Sequence, residues 1–377
     1  MTANRPAPRL VPSPGGAAGL DVAWLTEALG PQVLGAAQLL SATPVRVGEG
    51  RGHLGSSIRV DLGYSAITST APASVVVKLP ADIPEARETA YRGRLYEREV
   101  RFFTELAPTT DVRAPHCYAA AFDAATHDYA LVLEDVTGRQ EISQLEGCPP
   151  AEAELVLHEL ARLHARWWQQ PGLAQRDWLT TFNSPHRLAN LHRMLTDGWP
   201  RLCADLRDRL PADAAATGAT VNAHFIATLG RFEQHPQTLL HGDSRLDNFM
   251  FDAGAARAPV VLLDWQNVGR GPAVADLGYF IAQNLSVAQI RTGAADLLDS
   301  YHGELVRHGV SNLSRRQLGD TLWQALPISF AVAASLFVVG DPAVARTREL
   351  AAVMAERALA AADAFALLDR LDDPVRT

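Results

Sequence analysis

Two segments decide the fold: Leu239-Leu240-His241-Gly242-Asp243-Ser244-Arg245-Leu246-Asp247-Asn248 and, shortly after it, Val260-Val261-Leu262-Leu263-Asp264-Trp265. In each, acidic or amide side chains directly follow an apolar, strand-like run. Asn248 stands five positions after Asp243, and Asp264 ends the second apolar run. A hairpin whose polar groups satisfy one another can also produce two acids and an Asn between apolar strands. The ordered His-Gly-Asp, the Asn at the fifth position and the Asp after a strand nevertheless favour a catalytic segment.

The residue types at these positions suit phosphoryl transfer, which depends on positioning and charge neutralisation more than on covalent chemistry. An Asp can orient an acceptor hydroxyl and accept its proton, while an Asn and a second Asp hold Mg2+ beside the phosphates. This predicts Asp243 as catalytic and Asn248 and Asp264 as ligands of Mg2+, a hard ion that prefers oxygen. Arg245 is placed to reach the transferring phosphate; an ion pair with Asp247 or another acid is the alternative.

A glycine-rich stretch near the N-terminus places Gly50, Gly52 and Gly55 in a G-x-G-x-x-G pattern. Such a pattern is compatible with a dinucleotide-binding turn, a phosphate-binding loop or a flexible hairpin. A dinucleotide turn should open a helix, whereas the residues that follow here alternate like a strand. The context favours a loop between two strands whose backbone N–H groups can approach phosphates.

Lys78 ends the apolar run Val75-Val76-Val77. A lysine on a buried strand is costly unless its charge is used, and in kinases such a lysine binds phosphates and pairs with a helix glutamate. Glu97 and Glu99 are the candidate partners. The alternative is a strand-end lysine that reaches solvent.

The order of elements predicts an α+β chain with two lobes. Strand patterns occupy the N-terminal part, interrupted by a helix over Glu88 to Leu106, and helical periodicity dominates from Pro150 onward. We predict a flexible leader over residues 1–19, a small β-rich nucleotide-binding lobe over 20–137, and a larger helical lobe over 138–377 with the catalytic and metal loops and the acceptor pocket.

Composition excludes several classes of function. The 377 residues carry a net charge of −8, which argues against a nucleic-acid partner. No signal peptide or membrane span is apparent. The three cysteines, an odd number without a CxxC pair, indicate free thiols in a reducing compartment. These features predict a cytoplasmic protein without a membrane partner and leave its oligomeric state open.

Several motifs together resemble the aminoglycoside phosphotransferase and choline kinase-like superfamily, most closely its ecdysteroid kinase-like branch. They are Leu133-Glu134-Asp135, Leu163-His164-Ala165-Arg166-Trp167-Trp168, the segment from His241 to Asn248, Asp264-Trp265-Gln266, and Asp276-Leu277-Gly278-Tyr279.

The resemblance implies a bilobal protein-kinase-like fold that binds ATP or GTP with Mg2+ and a small-molecule acceptor. It implies that Glu99 pairs with Lys78, and that the backbone carbonyl of Glu134 and the N–H of Val136 meet the nucleobase. It also implies that Asp276 bonds the backbone of the catalytic loop and that His241 is structural.

The apolar region Ile328 to Val339 favours a neutral, partly apolar acceptor over a polycation. Trp323 and Phe330 are candidate pocket residues, although core packing is the better interpretation of both. Alternatives are a kinase for a cationic acceptor of the aminoglycoside or choline type, and a nucleotide-binding regulatory pseudokinase. Intact Lys78, Asp243 and Asp264 argue against the pseudokinase. A metal-dependent hydrolase would require more His ligands at metal spacing.

Overall fold

The computed structural model describes residues 8–46, 54–66, 70–252 and 260–372. The chain forms two compact units, Met1–Arg139 with Val261–Asn267, and Gln140–Val260 with Val268–Thr377. The first division falls close to the predicted boundary at residue 137. The short segment Val261–Asn267, which the sequence assigned to the helical lobe, belongs instead to unit 1. It does so because Val261 forms a parallel β-bridge with Arg113, and the N–H of Leu262 donates to the Arg113 carbonyl at 2.8 Å.

Unit 1 is built on a six-stranded sheet in the order β1-β5-β6-β4-β3-β2. Strand β1 runs parallel to β5, and all other pairs are antiparallel. The elements of unit 1 are β1 (Arg9–Leu10), α1 (Val22–Leu34), β2 (Leu39–Arg46), β3 (Gly55–Tyr64), β4 (Ser74–Pro80), α2 (Pro84–Arg92), α3 (Leu95–Arg101), a π-helical turn (Phe102–Leu106), β5 (Cys117–Phe122), β6 (Tyr129–Glu134) and β10 (Val261–Leu262).

Strand β4 places its residues on the two faces of the sheet by simple alternation. Val75, Val77 and Leu79 are buried in the core that the sheet forms with α1. Side chains alternate along a strand, so Lys78 points to the opposite face. The strand position therefore separates the lysine from the apolar core that surrounds its neighbours.

Two predictions for unit 1 need correction. Part of the expected flexible leader is ordered: Arg9 and Leu10 pair with Ala119 and Ala120, and Val11 N–H donates to the Ala120 carbonyl at 3.1 Å. Edge pairing of this kind satisfies backbone groups that a free leader would leave to water.

The single helix predicted over Glu88 to Leu106 is also wrong, because it is broken between α2 and α3. Arg94 adopts the left-handed conformation with φ 52°, directly after Gly93, a residue type with poor helix propensity. A left-handed residue cannot continue a right-handed helix, so the chain changes direction before Glu99.

Unit 2 is mainly helical, as the sequence predicted. Strands β8 (Thr238–Leu240) and β11 (Gly269–Gly271) form a two-stranded antiparallel sheet. Strand β8 leads into the loop that carries Asp243, and β11 leads into α8 (Val274–Asn284). The elements of unit 2 are β7 (Arg139–Glu141, which begins at the last residue of unit 1), α4 (Pro150–Arg166), α5 (Pro171–Ala174), α6 (Pro185–Asp205), α7 (Ala214–Gly230), β8 (Thr238–Leu240), β9 (Phe249–Asp252), β11 (Gly269–Gly271), α8 (Val274–Asn284), α9 (Val287–Arg307), α10 (Arg315–Leu322), α11 (Leu326–Ser335), α12 (Ala345–Ala364) and α13 (Leu367–Asp372).

Helix α11 forms the centre of the unit 2 core. It packs against α6 and α12, and a side chain at Gly198 of α6 would collide with the Ala334 carbonyl, so the glycine permits the close approach. Phe330 is fully buried, and its ring centroid lies 4.8 Å from that of Trp199; Trp323 is also buried. Both aromatic residues are core residues, in line with the preferred interpretation, and the apolarity of this region reflects packing.

None of the helices in the described ranges is both long and apolar enough to cross a membrane.

Candidate active site

Three charged side chains of unit 1 meet on the face of the sheet to which Lys78 points. The Lys78 ammonium nitrogen lies 2.6 Å from Glu99 Oε1 and 2.8 Å from Asp264 Oδ1. Lys78 comes from β4, Glu99 from α3, and Asp264 from the segment that follows β10. The structure thus selects Glu99 over Glu97 as the lysine's partner. Glu97 pairs instead with Arg94 at 2.8 Å.

Burial makes these charges depend on one another. Glu99 is 1% exposed, and burial raises the pKa of its carboxyl group, against the opposing effect of Lys78. Burial by itself lowers the pKa of Lys78, but the charges of Asp264 and Glu99 outweigh it and raise the pKa overall. Lys78 is therefore held as a cation.

The backbone around Asp264 is unusual. Asp264 has φ 58°, a left-handed conformation that is uncommon outside glycine and occurs at functional sites. Gln266 Nε2 donates to Asp264 Oδ2 at 3.1 Å. The next residue, Trp265, is fully buried and stacks on Phe102 with ring centroids 3.8 Å apart. The stack holds the segment against the π-helical turn that continues α3, so Asp264 is fixed from both sides.

The segment predicted to meet the nucleobase lies at the end of β6. The Glu134 carboxylate accepts from Arg113 Nη2 at 2.6 Å and from the His116 N–H at 2.9 Å. Within the described part of the chain, no hydrogen bond occupies the N–H of Val136. Asp135 accepts from Arg59 and Ser74 at 2.7 and 2.6 Å. These bonds keep the segment in place and direct its side chains into the protein.

The glycine loop is only partly described. Gly50 and Gly52 lie outside the described residues, while Gly55 begins β3 opposite Pro80 of β4. The Leu54 carbonyl accepts from the Tyr96 hydroxyl at 2.8 Å, and Tyr96 OH in turn accepts from the Ala81 N–H at 3.0 Å. The end of the loop is therefore tied to α3 and to the end of β4.

In unit 2, Asp243 and Asn248 lie on one tight loop after β8. Asn248 Nδ2 donates to the Asp243 backbone carbonyl at 2.9 Å, which leaves its Oδ1 as the side-chain acceptor. Tyr279 OH donates to Asp243 Oδ1 at 3.2 Å. Burial raises the pKa of Tyr279, and the Asp243 charge adds to the effect, so the phenol remains a donor. Arg245 Nε lies 3.7 Å from Asp243 Oδ2 and thus faces Asp243 itself.

Asp276 binds the backbone of this loop, as the resemblance implied. Its two carboxylate oxygens accept from the backbone N–H groups of His241 at 2.7 Å and Gly242 at 2.8 Å. His164 Nε2 lies 3.2 Å from Asp276 Oδ2, and His164 Nδ1 is 2.6 Å from Tyr301 OH. Burial alone would raise the pKa of Asp276, but the hydrogen bond and charge of His164 hold it below its usual range.

A separate open cavity in unit 2 contains none of the predicted site residues. Its volume is about 420 Å³, and it is lined by Gln169, Gln170, Pro171, Leu173, Ala174, Gln234, His235, Pro236, Gln237 and Arg270.

The comparison with protein-family models settles the family. Residues 49–311 match the model of the ecdysteroid kinase-like family. The chain belongs to this family. The match confirms the resemblance read from the motifs, and no curated protein matches the chain.

Solved structures similar to this ecdysteroid kinase-like chain share its fold at low sequence identity. A chain from Ralstonia eutropha assigned to the aminoglycoside phosphotransferases is 16% identical, with a TM-score of 0.51 over 93% of this chain and 99% of that one. The GDP complex of wild-type aminoglycoside 2'-phosphotransferase-IIIa is 14% identical, with a TM-score of 0.53 over 89% and 98%. An ethanolamine kinase from Plasmodium vivax is 10% identical, with a TM-score of 0.50 over 88% and 83%. These similarities confirm the α+β, protein-kinase-like fold.

Each of the two predicted ligands of the ecdysteroid kinase-like chain carries an oxygen of the kind that Mg2+ prefers. Asp264, in unit 1, offers a carboxylate, and Asn248, in unit 2, offers an amide oxygen; Mg2+ usually takes one or two protein ligands beside phosphate oxygens and water. The orientation of the Asn248 amide, fixed by its bond to the Asp243 carbonyl, is the one that presents the oxygen.

Sequence reasoning did not assign roles to several residues that hold the loop from His241 to Asn248. Tyr279 and Asn284 bond the loop directly, and Arg187 Nη2 donates to the Gly242 carbonyl at 2.9 Å. Tyr279 lay within a motif already recognised, three positions after Asp276 and so on a neighbouring helix face. Arg187 carried no comparable signal, because α6 reads as an ordinary amphipathic helix.

Proposed function

We propose that the chain is a small-molecule kinase that transfers a phosphoryl group from Mg2+-bound ATP or GTP to a hydroxyl of a small, non-cationic acceptor. The observation that carries the proposal is the fixed Asp243 carboxylate, which accepts from Tyr279 OH while its backbone carbonyl accepts from Asn248. An oriented carboxylate beside an oriented amide is what phosphoryl transfer to a hydroxyl requires. Membership of the ecdysteroid kinase-like family and the fold shared with a GDP-bound phosphotransferase and an ethanolamine kinase support the reaction class.

Each residue has a distinct role in this proposal. Lys78, held as a cation by Glu99 and Asp264, binds the α- and β-phosphates. Asn248 and Asp264 would hold Mg2+, which neutralises phosphate charge when bound. Asp243 orients the acceptor hydroxyl and accepts its proton, and Arg245 stabilises the negative charge on the transferring group. The glycine loop, with Gly50, Gly52 and Gly55, contributes backbone N–H groups, and Glu134 and Val136 contribute backbone contacts to the base.

Charge near Asp243 supports a non-cationic acceptor. Arg245 lies beside the carboxylate, and Arg187 is bonded to the adjacent Gly242 carbonyl. Burial lowers the pKa of Arg187 to about 10, with Asp276 and Asp243 opposing the shift, so Arg187 remains charged at neutral pH. A polycationic acceptor would meet like charges here. The region Ile328 to Val339, which favoured a partly apolar acceptor, lies largely in the core, with Val339 exposed, so its apolarity does not by itself identify an acceptor pocket.

The first experiment separates a kinase from a nucleotide-binding regulator. Mg-ATP and Mg-GTP are titrated by calorimetry into the wild-type protein, into Asp264→Asn, and into Asp252→Asn as a matched control at the exposed end of β9. Mg-dependent binding that is weakened only by Asp264→Asn supports the nucleotide site. The absence of binding to folded wild-type protein would overturn the proposal.

The second experiment is an acceptor screen with isotopically labelled nucleotide, in which phosphorylated products are detected by mass spectrometry. Neutral polyols, hydroxy acids and aminoglycosides are compared with wild type and Asp243→Asn. Products from non-cationic alcohols that vanish in Asp243→Asn support the proposal. Products from aminoglycosides alone would contradict the acceptor class, and nucleotide binding without any transfer across a broad screen would favour the regulatory alternative.

A further inference from the structure

A buried arginine far along the chain from the loop that carries Asp243 donates to three backbone carbonyls among the described residues. Arg357 lies in α12 and is 3% exposed. Its Nη1 donates to the carbonyls of Gln144 at 2.6 Å and Gln283 at 2.8 Å, and its Nη2 donates to that of Leu145 at 3.2 Å. One planar guanidinium thus joins the turn before α4 to the end of α8.

The position of this charge has a physical reason. The last carbonyls of a helix lack partners within the helix and carry the negative end of its dipole, so a cation is favourable there. Gln283 and Asn284 are the last two residues of α8. The Asn284 carbonyl is taken by the Cys148 N–H at 2.7 Å. The end of α8 is therefore bonded by two groups from elsewhere in the chain: the Arg357 guanidinium and the N–H of Cys148. Cys148 belongs to the turn before α4, which Arg357 also binds.

Arg357 stays in this environment at an energetic cost. Burial lowers the pKa of its guanidinium to about 10, and Glu356 and Cys148 only partly oppose the shift. The acidic neighbour Glu356 itself binds Arg209 at 2.6 Å. A guanidinium offers five donors in a fixed fork, which lysine cannot reproduce. An apolar side chain of similar length would avoid the cost but leave three carbonyls without their donor.

The end of α8 is connected directly to the catalytic loop. The side chain of Asn284, fully buried, accepts from the Leu246 N–H at 2.9 Å through Oδ1 and donates to the Ser244 carbonyl at 2.8 Å through Nδ2. Its Nδ2 also donates to the Phe280 carbonyl at 3.0 Å. Asn284 therefore bonds the two residues on either side of Arg245, and one of them, Ser244, directly follows Asp243.

We propose that Arg357 is a positioning residue for the catalytic loop, which acts by fixing the C-terminal end of α8 and thereby Asn284. When Arg357 is replaced, the end of α8 gains freedom, the two Asn284 bonds lengthen or open, and Asp243 loses its defined position. Chemistry that depends on alignment is sensitive to such shifts, with rate losses of about 100-fold for a displacement of about 1 Å. Nucleotide affinity, which the proposal assigns largely to Lys78 and its neighbours, should change little.

The test reads the loop itself and does not require activity. Amide hydrogen exchange is measured in the full chain for wild type, Arg357→Met, Arg357→Lys and Arg209→Met. The last variant is the matched control, because Arg209 also binds α12, through Glu349 and Glu356, but has no contact with α8 in the hydrogen-bond pattern of the described residues. We expect exchange at Leu246 to rise about tenfold or more in Arg357→Met, to rise less in Arg357→Lys, and to remain at the wild-type rate in Arg209→Met.

Two outcomes would overturn the inference. One is unchanged protection of Leu246 in folded Arg357→Met; the other is an equal rise in Arg209→Met, which would indicate a general loosening of unit 2. If the methionine variant does not fold, Arg357→Lys decides, because it keeps the charge and most of the volume while it loses the fork. Unchanged Leu246 exchange in the lysine variant would then count against the proposal.

A kinetic measurement adds a second readout and rests on the proposed kinase function. With an acceptor identified by the screen, kcat should fall about 10- to 100-fold in Arg357→Met, while the KM for nucleotide stays within about twofold of wild type. A rise in nucleotide KM with unchanged kcat would contradict a role in loop positioning. If the wild-type protein transfers no phosphoryl group, the proposed function fails, whereas the exchange experiment still decides the role of Arg357.

Discussion

The hydroxyl of Tyr279 and the carboxylate of Asp243 lie 3.2 Å apart, with the phenol as donor. Tyr279 is on α8, three residues after Asp276, whose carboxylate binds the backbone just before Asp243. A single short helix therefore holds both the backbone before Asp243 and the Asp243 side chain. The acid proposed to orient the acceptor is fixed by groups outside its own loop, so its orientation can be altered without changing the residue itself.

Replacement of Tyr279 by Phe should lower kcat about 3- to 10-fold and leave nucleotide affinity unchanged. The change removes one hydrogen bond to a charged group and keeps the ring, and such bonds contribute about 1 kcal/mol or somewhat more. Steady-state kinetics with an identified acceptor measure the effect. Tyr64→Phe is the control, because it removes a phenol that donates to a backbone carbonyl, that of Pro72, in unit 1. Equal losses in both variants would show that the effect does not come from Asp243.

Lys78→Met should weaken nucleotide binding about tenfold or more, since a charge-assisted hydrogen bond contributes about 1.5–3 kcal/mol. It also leaves Glu99 buried without its cation, so the pKa of Glu99, already raised by burial, should rise further and the carboxyl group should take up a proton. Isothermal titration with Mg-ATP and Mg-GTP reports the binding. Wild-type affinity in folded Lys78→Met would contradict the phosphate role of the lysine.

Glu99→Gln should weaken nucleotide use more than Glu97→Gln does. Both glutamates belong to α3, but only Glu99 binds Lys78, whereas Glu97 binds Arg94 and Arg101. The glutamine keeps the shape and loses the charge that holds the ammonium group in place. Measured Kd values for nucleotide compare the two variants. Indistinguishable effects would mean that the ion pair with Lys78 does not matter for binding.

Phe102→Ala should destabilise the protein by about 3–5 kcal/mol, because it removes a fully buried aromatic side chain and leaves a cavity. It should also weaken Mg-dependent nucleotide binding, since Phe102 stacks on Trp265, the residue after the proposed metal ligand Asp264. Denaturant unfolding and calorimetry provide the two readouts. Phe225→Ala, a fully buried phenylalanine of α7, is the control: it should lose comparable stability without a comparable loss of the Mg dependence.

The pH dependence of stability should contain a contribution from Asp276. Its pKa is lowered in the folded protein, so the stabilisation is fully present above the usual range of an unfolded Asp, about pH 3.9. It is lost as the pH falls through the lower folded value. The denaturant midpoint of the wild-type protein should therefore decline as the pH is lowered from about 6 to about 2.5. In Asp276→Asn this component should be absent, and a decline of equal steepness would contradict the assignment.

The sequence was sufficient for the geometry of candidate residues that are close in the chain. Asp243 and Asn248 are five positions apart, and the turn that holds them brings the Asn amide to the Asp carbonyl through local geometry alone. The alternation in β4 likewise placed Val75 and Val77 on one face and Lys78 on the other. Failures arose where local pattern and local conformation disagreed. Arg94 has no side-chain feature that forbids helix, yet its left-handed backbone ends α2 and sets the direction of α3.

Apolar composition alone could not distinguish a pocket from a core. The apolar region Ile328 to Val339 favoured a partly apolar acceptor, with core packing as the better interpretation of Phe330, and the structure shows that Gly198 allows α6 to pack closely against α11 beside Ala334. Contact between distant elements decides such questions, and periodicity within one element carries no information about it.

The sequence by itself determined the family, the α+β protein-kinase-like fold and the order of the candidate catalytic residues, because these follow from short motifs and strand or helix periodicity. Only the tertiary structure decided which glutamate pairs with Lys78 and that Tyr279 donates to Asp243. It also decided that Arg357 bonds both the end of α8 and Gln144, which lies more than two hundred residues away in the chain. The physical reason is that hydrogen bonds and ion pairs require their atoms within about 3–4 Å of each other, a condition that spacing along the chain specifies only within a single turn or strand.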